Sequence, residues 1–110
     1  MATKYKEMVK AATLTGTAAT YYTAPVLTYA AIHAVSANNP TAGAVTVNVY
    51  KVPTSAAADG TTRLASKIVP AGRPMQFPEL VNHKLEPGTQ IYADGNGCSL
   101  NISGIEYVPE

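Results

Sequence analysis

The fold is decided by residues 43–53, GAVTVNVYKVP, in which three valines alternate with Thr46, Asn48 and Tyr50 before a proline. Successive side chains of a strand point to opposite faces, so a period of two places the valines on one face and the polar residues on the other. Related segments recur at residues 91–94 and 100–105, each next to a glycine. One buried and one wet face on each strand is typical of antiparallel sheets. The pattern predicts an all-β fold, a single antiparallel, jelly-roll-like β-sandwich of about eight strands.

Turn signals divide the rest of the chain. Residues 38–43 (NNPTAG) and 95–97 (GNG) are rich in turn-forming residues and predict hairpin connections. Pro25 and Pro78 cannot donate to a ladder, which predicts strand ends or sheet edges at both positions. Between these signals, residues 26–37 form the longest candidate strand, and simple alternation along it places Ile32 on one face and His33 and Val35 on the other. Residues 53–62 (PTSAAADGTT) are predicted to form an exposed loop.

The N-terminal residues have a different composition from the rest. Residues 1–7 are polar and mixed in charge, which predicts a flexible arm that becomes ordered on a partner. The β-sandwich domain is then expected to span residues 8–110. A short helical turn near residues 4–10 is the one place where helix is compatible with the pattern.

Composition limits the classes of partner. The 110 residues suffice for one domain, and they carry a net charge of +1 with 14% charged residues. No basic stripe is present, so we expect no nucleic-acid partner. No apolar run reaches the ~20 residues that span a bilayer, so we expect no membrane partner either. A surface of such low charge does little to prevent association, which favours a homo-oligomer. The N-terminus lacks the apolar core of a signal peptide, so we expect synthesis in a cytoplasm.

The residues capable of chemistry form no recognisable constellation. His33 and His83 lack metal-ligand spacing, and the single cysteine, Cys98, is expected to be a small, partly buried hydrophobe. The acidic residues are scattered, and no positioned nucleophile motif occurs. We therefore expect no enzyme activity, no cofactor and no metal site.

The remaining candidates are contact residues. Tyr50 and Tyr92 occupy the polar phase of their strands and are predicted to lie at an interface, whereas Tyr21 and Tyr29 are expected in the core or at its rim. The arm and the loop supply the other candidates. The predicted interface set is Lys4, Tyr5, Lys6, Tyr50, Thr54, Ser55, Asp59, Thr61 and Tyr92.

Five segments carry a resemblance to a known group of proteins. They are residues 22–25 (YTAP), 39–47 (NPTAGAVTV), 69–72 (VPAG), 85–91 (LEPGTQI) and 103–106 (SGIE). In this succession the chain resembles small β-sandwich structural proteins of tailed bacteriophages. The segments are turn and strand signatures, so they point to a fold more than to a role. Lys84 and Pro87 depart from the loose pattern of that group.

The resemblance implies a virion component without catalytic residues. The leading hypothesis is a capsid decoration (cement) protein that binds the major capsid protein of the same virus and stabilises the assembled shell. A tail, neck or fibre-associated subunit is the first alternative, and a host-surface carbohydrate-binding module is the second. The expected location is the virion, reached after synthesis in the host cytoplasm.

Overall fold

A computed structural model describes residues 2–54 and 56–109, and these ranges contain nine β-strands and a single turn of 3-10 helix at Pro78–Leu80. The strands are β1 (Ala2–Thr13), β2 (Ala19–Thr23), β3 (Tyr29–Asn38), β4 (Val45–Val52), β5 (Arg63–Val69), β6 (Pro74–Gln76), β7 (Lys84–Leu85), β8 (Gln90–Asp94) and β9 (Ser99–Val108).

Two antiparallel sheets face each other. The first has the order β1-β9-β3-β6, with β7 also paired to β3, and the second has the order β2-β8-β4-β5. Apart from β7, which adds a fifth strand to the first sheet, this strand order is the arrangement of a jelly roll. The predicted all-β, jelly-roll-like sandwich is therefore confirmed.

The alternation that predicted β4 is present in the structure. Val47 and Val49 are fully buried between the sheets, while Thr46 is exposed on the outer face. The core is made mostly of aliphatic side chains from the inner faces of both sheets. Its largest fully buried members are Phe77, Leu14, Ile32, Leu80, Leu85, Ile91, Leu100, Ile102, Val47, Val49, Val52 and Val69.

The third strand differs from its prediction in two ways. Residues 26–28 belong to a turn, so β3 begins only at Tyr29. A shift in register between Ile32 and Ala34 then inserts one extra residue, His33, opposite β9. Because such a bulge reverses the phase of a strand, Val35 faces the core together with Ile32, and the simple alternation expected along β3 is wrong.

The predicted arm is part of the first sheet. Residues 2–7 form the first half of β1 and pair with residues 103–108 of β9. A shift in register between Glu7 and Val9 separates them from the second half of β1 within one continuous strand. The expected helical turn at residues 4–10 is wrong because these residues are in a ladder. That the segment becomes ordered on a partner stays a prediction, and Met1 lies outside the described residues.

Pro78 ends a strand, as its missing N–H predicts. The strand β6 pairs only with β3 and stops before Phe77, and the chain then turns through Pro78–Leu80. Phe77 is fully buried and lies under Lys67, whose Nζ is 5.4 Å from the ring centroid. Lys67 also forms an ion pair with Glu79, with 3.2 Å between Nζ and Oε1. A single cation therefore both pairs with a carboxylate and covers the Phe77 ring at this edge of the sandwich.

Asn39 organises the turn between β3 and β4. Its fully buried side chain donates from Nδ2 to the carbonyls of Gly43 (2.8 Å) and Val69 (2.9 Å). Its Oδ1 accepts from the backbone N–H and the hydroxyl of Thr41. All of its side-chain hydrogen-bonding groups are thus used, which allows a polar residue to stay inside the protein.

One buried hydrogen bond joins the two sheets beside β1. The Tyr22 hydroxyl of β2 donates to Glu106 Oε2 of β9 over 2.5 Å. Both residues are buried, and 84 positions separate them in the chain. Burial and, second, this hydrogen bond raise the pKa of the Tyr22 hydroxyl.

We expect Gly104→Ala to destabilise the protein by about 3 kcal/mol, because overpacking of a closed core displaces backbone. An added Cβ would collide with the Ala31 carbonyl oxygen and lie 2.9 Å from Met8 Sδ. Gly43→Ala is the matched control, because a Cβ there meets nothing within 4 Å. Urea unfolding of both variants measures the difference, and equal midpoints would contradict the packing at Gly104.

We expect Tyr22→Phe to lower the free energy of unfolding by about 1–3 kcal/mol at neutral pH, because it leaves the buried Glu106 carboxylate without its hydrogen-bond donor. Thermal unfolding measures the loss. Tyr5→Phe is the control, because the Tyr5 side chain is 87% exposed and should not affect stability.

The raised pKa of Tyr22 also predicts a pH dependence. The folded state holds the phenol proton more tightly than the unfolded state, so the stabilisation is complete below the ordinary pKa of 10.0 and is lost as the pH rises above it. Wild type should therefore lose stability above pH 10.0 more steeply than Tyr22→Phe. Parallel curves for the two proteins would show that the Tyr22 proton is not linked to folding.

Candidate functional site

Three loops and the start of β1 meet at one end of the sandwich, which we call the loop end. Thr3, Tyr107 and Tyr29 form one row of the first sheet there, and Thr23, Gln90 and Val52 form the last row of the second. The loops are residues 24–28, 53–62 and 86–89. The first and third are joined by hydrogen bonds from Ala24 N to Thr89 O (2.9 Å) and from Gly88 N to Ala24 O (3.0 Å).

Exposed apolar side chains are concentrated near the loop end. The described residues include seven exposed large hydrophobic side chains, and all except Ile68 and Val81 lie at or next to this end. The five are Tyr5, Val26, Leu27, Tyr29 and Tyr107. Because monomeric proteins seldom collect such side chains in one place without a use, this end is the main candidate for an interaction surface.

Three of the five form part of a sheet surface, which we call the aromatic face. The register places Tyr5 beside Ile105 and Ala31, two rows away from Tyr107 and Tyr29 and therefore on the same side of the sheet. These residues point away from the core, since their neighbours Gly104 and Glu106 in β9 face inward. The aromatic face consists of Tyr5, Tyr29, Ala31, Ile105 and Tyr107.

The expectation that Tyr29 lies in the core or at its rim is wrong, whereas Tyr21 does pack against the core.

The other two exposed residues form the tip of a turn. Thr28 N donates to Pro25 O over 3.1 Å, so residues 25–28 make a β-turn with Val26 and Leu27 in the middle. Leu27 has a φ of 60°, a region that usually holds glycine or asparagine and costs other residues about 1–2 kcal/mol. The turn thus presents two side chains that are 84% and 73% exposed, one of them on a strained backbone. Strain of this kind is more common at functional sites than elsewhere.

The structure divides the predicted interface residues into two groups. Lys4, Tyr5 and Lys6 lie exposed on β1 near the loop end, and Thr54, Asp59 and Thr61 belong to the loop of residues 53–62 at the same end. Ser55 lies outside the described residues.

Asp59 and Thr61 order their own loop. The Asp59 carboxylate accepts from the Thr61 hydroxyl (2.6 Å) and from its backbone N–H (2.9 Å). The hydrogen bond from the Thr61 hydroxyl is the largest contribution to the lowered pKa of Asp59. Any contact that these two residues make with a partner stays a prediction.

Tyr50 and Tyr92 form the second group, on the outer face of the other sheet. They are direct cross-strand neighbours, so the structure brings this predicted pair together. The Tyr50 hydroxyl donates to Asp94 (3.0 Å), which also accepts from Asn48 Nδ2 (2.8 Å). Burial raises the pKa of Tyr50, and the hydrogen bond to Asp94 raises it further by a smaller amount. These bonds fix the Tyr50 ring on its sheet, on the opposite side of the sandwich from the aromatic face.

A cleft opens between the edge strands β1 and β2, and we call it the edge cleft. Its volume is about 1100 Å³, and its lining includes Met8, Tyr21, Tyr22, Pro25 and Glu106. No prediction from the sequence included Tyr22 or Glu106 as site residues. The available signal was their position in the segments YTAP and SGIE, which lie far apart in the chain but meet here.

The candidates for chemistry are Cys98 and the two histidines, of which His83 accepts a backbone hydrogen bond from Ile32, next to His33. Cys98 is buried, and burial raises the pKa of its thiol. Within residues 2–54 and 56–109, no three His, Cys, Asp or Glu side chains are grouped so that they could hold a metal ion. No helix in that part of the chain has the length and apolar character to cross a membrane.

Comparison with protein-family models finds no match, and comparison with curated protein sequences finds none either. Solved structures do share the fold. A protein of Bacillus endospore appendages, described as a novel family of disulfide-linked pili, aligns over 98% of this chain and 89% of its own with a TM-score of 0.57 and 15% identity. At that identity the likeness shows a common fold.

Two chains from infectious bursal disease virus align less well. The chain of the Gx strain has a TM-score of 0.49 and 10% identity, over 96% of this chain and 31% of its own. The chain from a crystal structure of the viral particle has a TM-score of 0.45 and 12% identity, over 96% and 30%. The fold of this chain is thus one that is found in a protein of disulfide-linked pili.

Proposed function

We propose that this chain is a non-enzymatic structural subunit of a bacteriophage particle, most specifically a decoration protein that attaches to the assembled shell through its loop end. The observation that carries the proposal is the aromatic face together with the rigid turn at Val26 and Leu27. The phage assignment rests on the sequence resemblance, and the shared fold with a pilus protein is compatible with a role in a large assembly.

The aromatic face has the composition of an attachment surface. Tyrosine offers a large contact area with few rotatable bonds, and it is enriched at interfaces and among residues that dominate binding. Burying apolar area stabilises a contact by roughly 25 cal/mol per Å², part of which offsets the cost of association. Lys4 and Lys6 lie on either side of Tyr5 in β1 but in the opposite phase, opposite Glu106 and Gly104, so they do not belong to this face.

The turn at residues 25–28 supports the same conclusion. Its base is fixed by the hydrogen bonds of Ala24 and by the buried Thr28, so Val26 and Leu27 lose little freedom when they are covered. A subunit that binds only the assembled shell stabilises it by mass action at every copy it contacts. In this role it would bridge neighbouring copies of the major capsid protein.

A tail, neck or fibre-associated subunit is the second candidate. It is favoured by β1, a 12-residue strand at the edge of the first sheet, because an unpaired edge can accept a strand from a neighbouring subunit in a ring or fibre. The number of copies per particle separates the two roles. Quantitative mass spectrometry of purified particles should give a ratio to the coat protein near one for decoration, and a few copies for a tail or fibre part.

Point substitutions test the attachment surface. We expect Leu27→Asn to weaken rebinding to particles that lack this chain by at least tenfold, because it removes an apolar contact worth about 1.4 kcal/mol or more. Asparagine tolerates the positive φ, so thermal stability should be preserved. Sedimentation of the particles with bound protein measures the affinity.

Ile68→Thr provides the matched control. Ile68 is also exposed, but it lies on β5, away from the loop end, so rebinding should be unchanged. Equal affinity of wild type and Leu27→Asn, or an equal loss in Ile68→Thr, would show that the loop end is not the attachment surface.

A further inference from the structure

The edge cleft holds a carboxylate that has no cationic partner among residues 2–54 and 56–109. Glu106 lines the cleft and is only 5% exposed. In the part of the chain that the structure describes, its carboxylate accepts one side-chain hydrogen bond, from Tyr22 to Oε2. Lys4 lies opposite Glu106 in the β1–β9 ladder but is itself exposed. The ion pair that the described residues do form is elsewhere, between Lys67 and Glu79.

A buried carboxylate in this setting has unused binding capacity. Removing an ionised carboxylate from water is costly unless hydrogen bonds and a cation compensate it. Two carboxylate oxygens can accept about four hydrogen bonds, and the tyrosine supplies one. A ligand that brings positive charge and several N–H donors into the cleft would therefore gain more here than at an exposed carboxylate.

The cleft walls favour a planar cation over a compact one. Tyr21 and Tyr22 contribute aromatic surface, while Met8 and Pro25 contribute apolar surface. A guanidinium stacks on aromatic rings, donates in parallel to a carboxylate and is less strongly hydrated than an ammonium. Lys6 and Lys10 also line the cleft, but both are exposed, so their repulsion is reduced by solvent and salt.

We propose that the edge cleft binds the guanidinium group of an arginine side chain presented by a partner polypeptide, with Glu106 as the acceptor and the tyrosines as walls. This inference concerns the isolated protein and does not depend on the proposed attachment to a shell. Failure of one therefore leaves the other standing.

The test uses a small probe, Nα-acetyl-L-arginine methylamide, titrated into the full chain and followed by the backbone amide NMR signals of Tyr22 and Gly104. A single charge-assisted contact opposed by two nearby lysines should give saturable binding with a Kd on the order of 1 mM. The citrulline analogue has the same shape without the charge and should bind at least tenfold more weakly.

Two variants assign the binding to Glu106. Glu106→Gln keeps the size of the side chain and an acceptor for the Tyr22 hydroxyl, and it should weaken arginine binding at least tenfold while its melting curve confirms folding. Glu7→Gln is the control, because Glu7 lines the same cleft but is exposed, and it should bind like wild type. If Glu106→Gln fails to fold, Tyr22→Phe serves instead: it retains the carboxylate and should retain binding. Absence of saturable binding, equal binding of the citrulline analogue, or full binding by Glu106→Gln would each overturn the proposal.

Discussion

The hydrogen bond between Tyr22 and Glu106 is the contact on which the rest of this side of the molecule depends. It connects β2, an edge strand of the second sheet, with β9, which is paired on both sides in the first. The bond thus joins the two sheets beside the edge cleft, and both of its partners belong to the lining of that cleft. The same bond positions the end of β2, from which the turn with Val26 and Leu27 begins.

The parts of the fold that could be predicted are those that depend on short-range pattern. The valines of β4 alternate without interruption, and the glycines around Asn96 do mark a turn. The hairpins expected at residues 38–43 and 95–97 are wrong, because each of these turns joins strands of different sheets. The phase of β3 could not be predicted, because the bulge at His33 results from pairing with β9, about 70 residues later. Residues 2–7 are polar enough to read as an arm, and only their partner strand shows that they belong to a sheet.

The candidate site was predictable to a similar degree and for the same reason. Tyr5, Asp59 and Thr61 were among the predicted contact residues and lie at the loop end. Tyr50 and Tyr92, predicted from the polar phase of their strands, lie on the outer face of the other sheet, and their contact with a partner stays a prediction. Tyr107 and Leu27 were missed. A leucine at positive φ has no sequence signal, since that conformation normally indicates glycine or asparagine, and the outward position of Tyr107 is defined by its neighbours in three strands. Surfaces assembled from distant segments require the tertiary structure.

The pairing of β1 with β9 has a consequence for biosynthesis. Ala2 lies opposite Val108, so the first strand has no partner until almost the entire described chain has left the ribosome. Long-range pairing of this kind makes β-sandwiches fold in milliseconds to seconds, more slowly than helical proteins of equal size. During translation Met8, which is buried in the folded protein, remains exposed beside an unpaired strand edge. The polar, lysine-rich composition of residues 3–7 reduces the risk of aggregation at this stage, because charged residues on an unpaired strand edge suppress pairing with another chain.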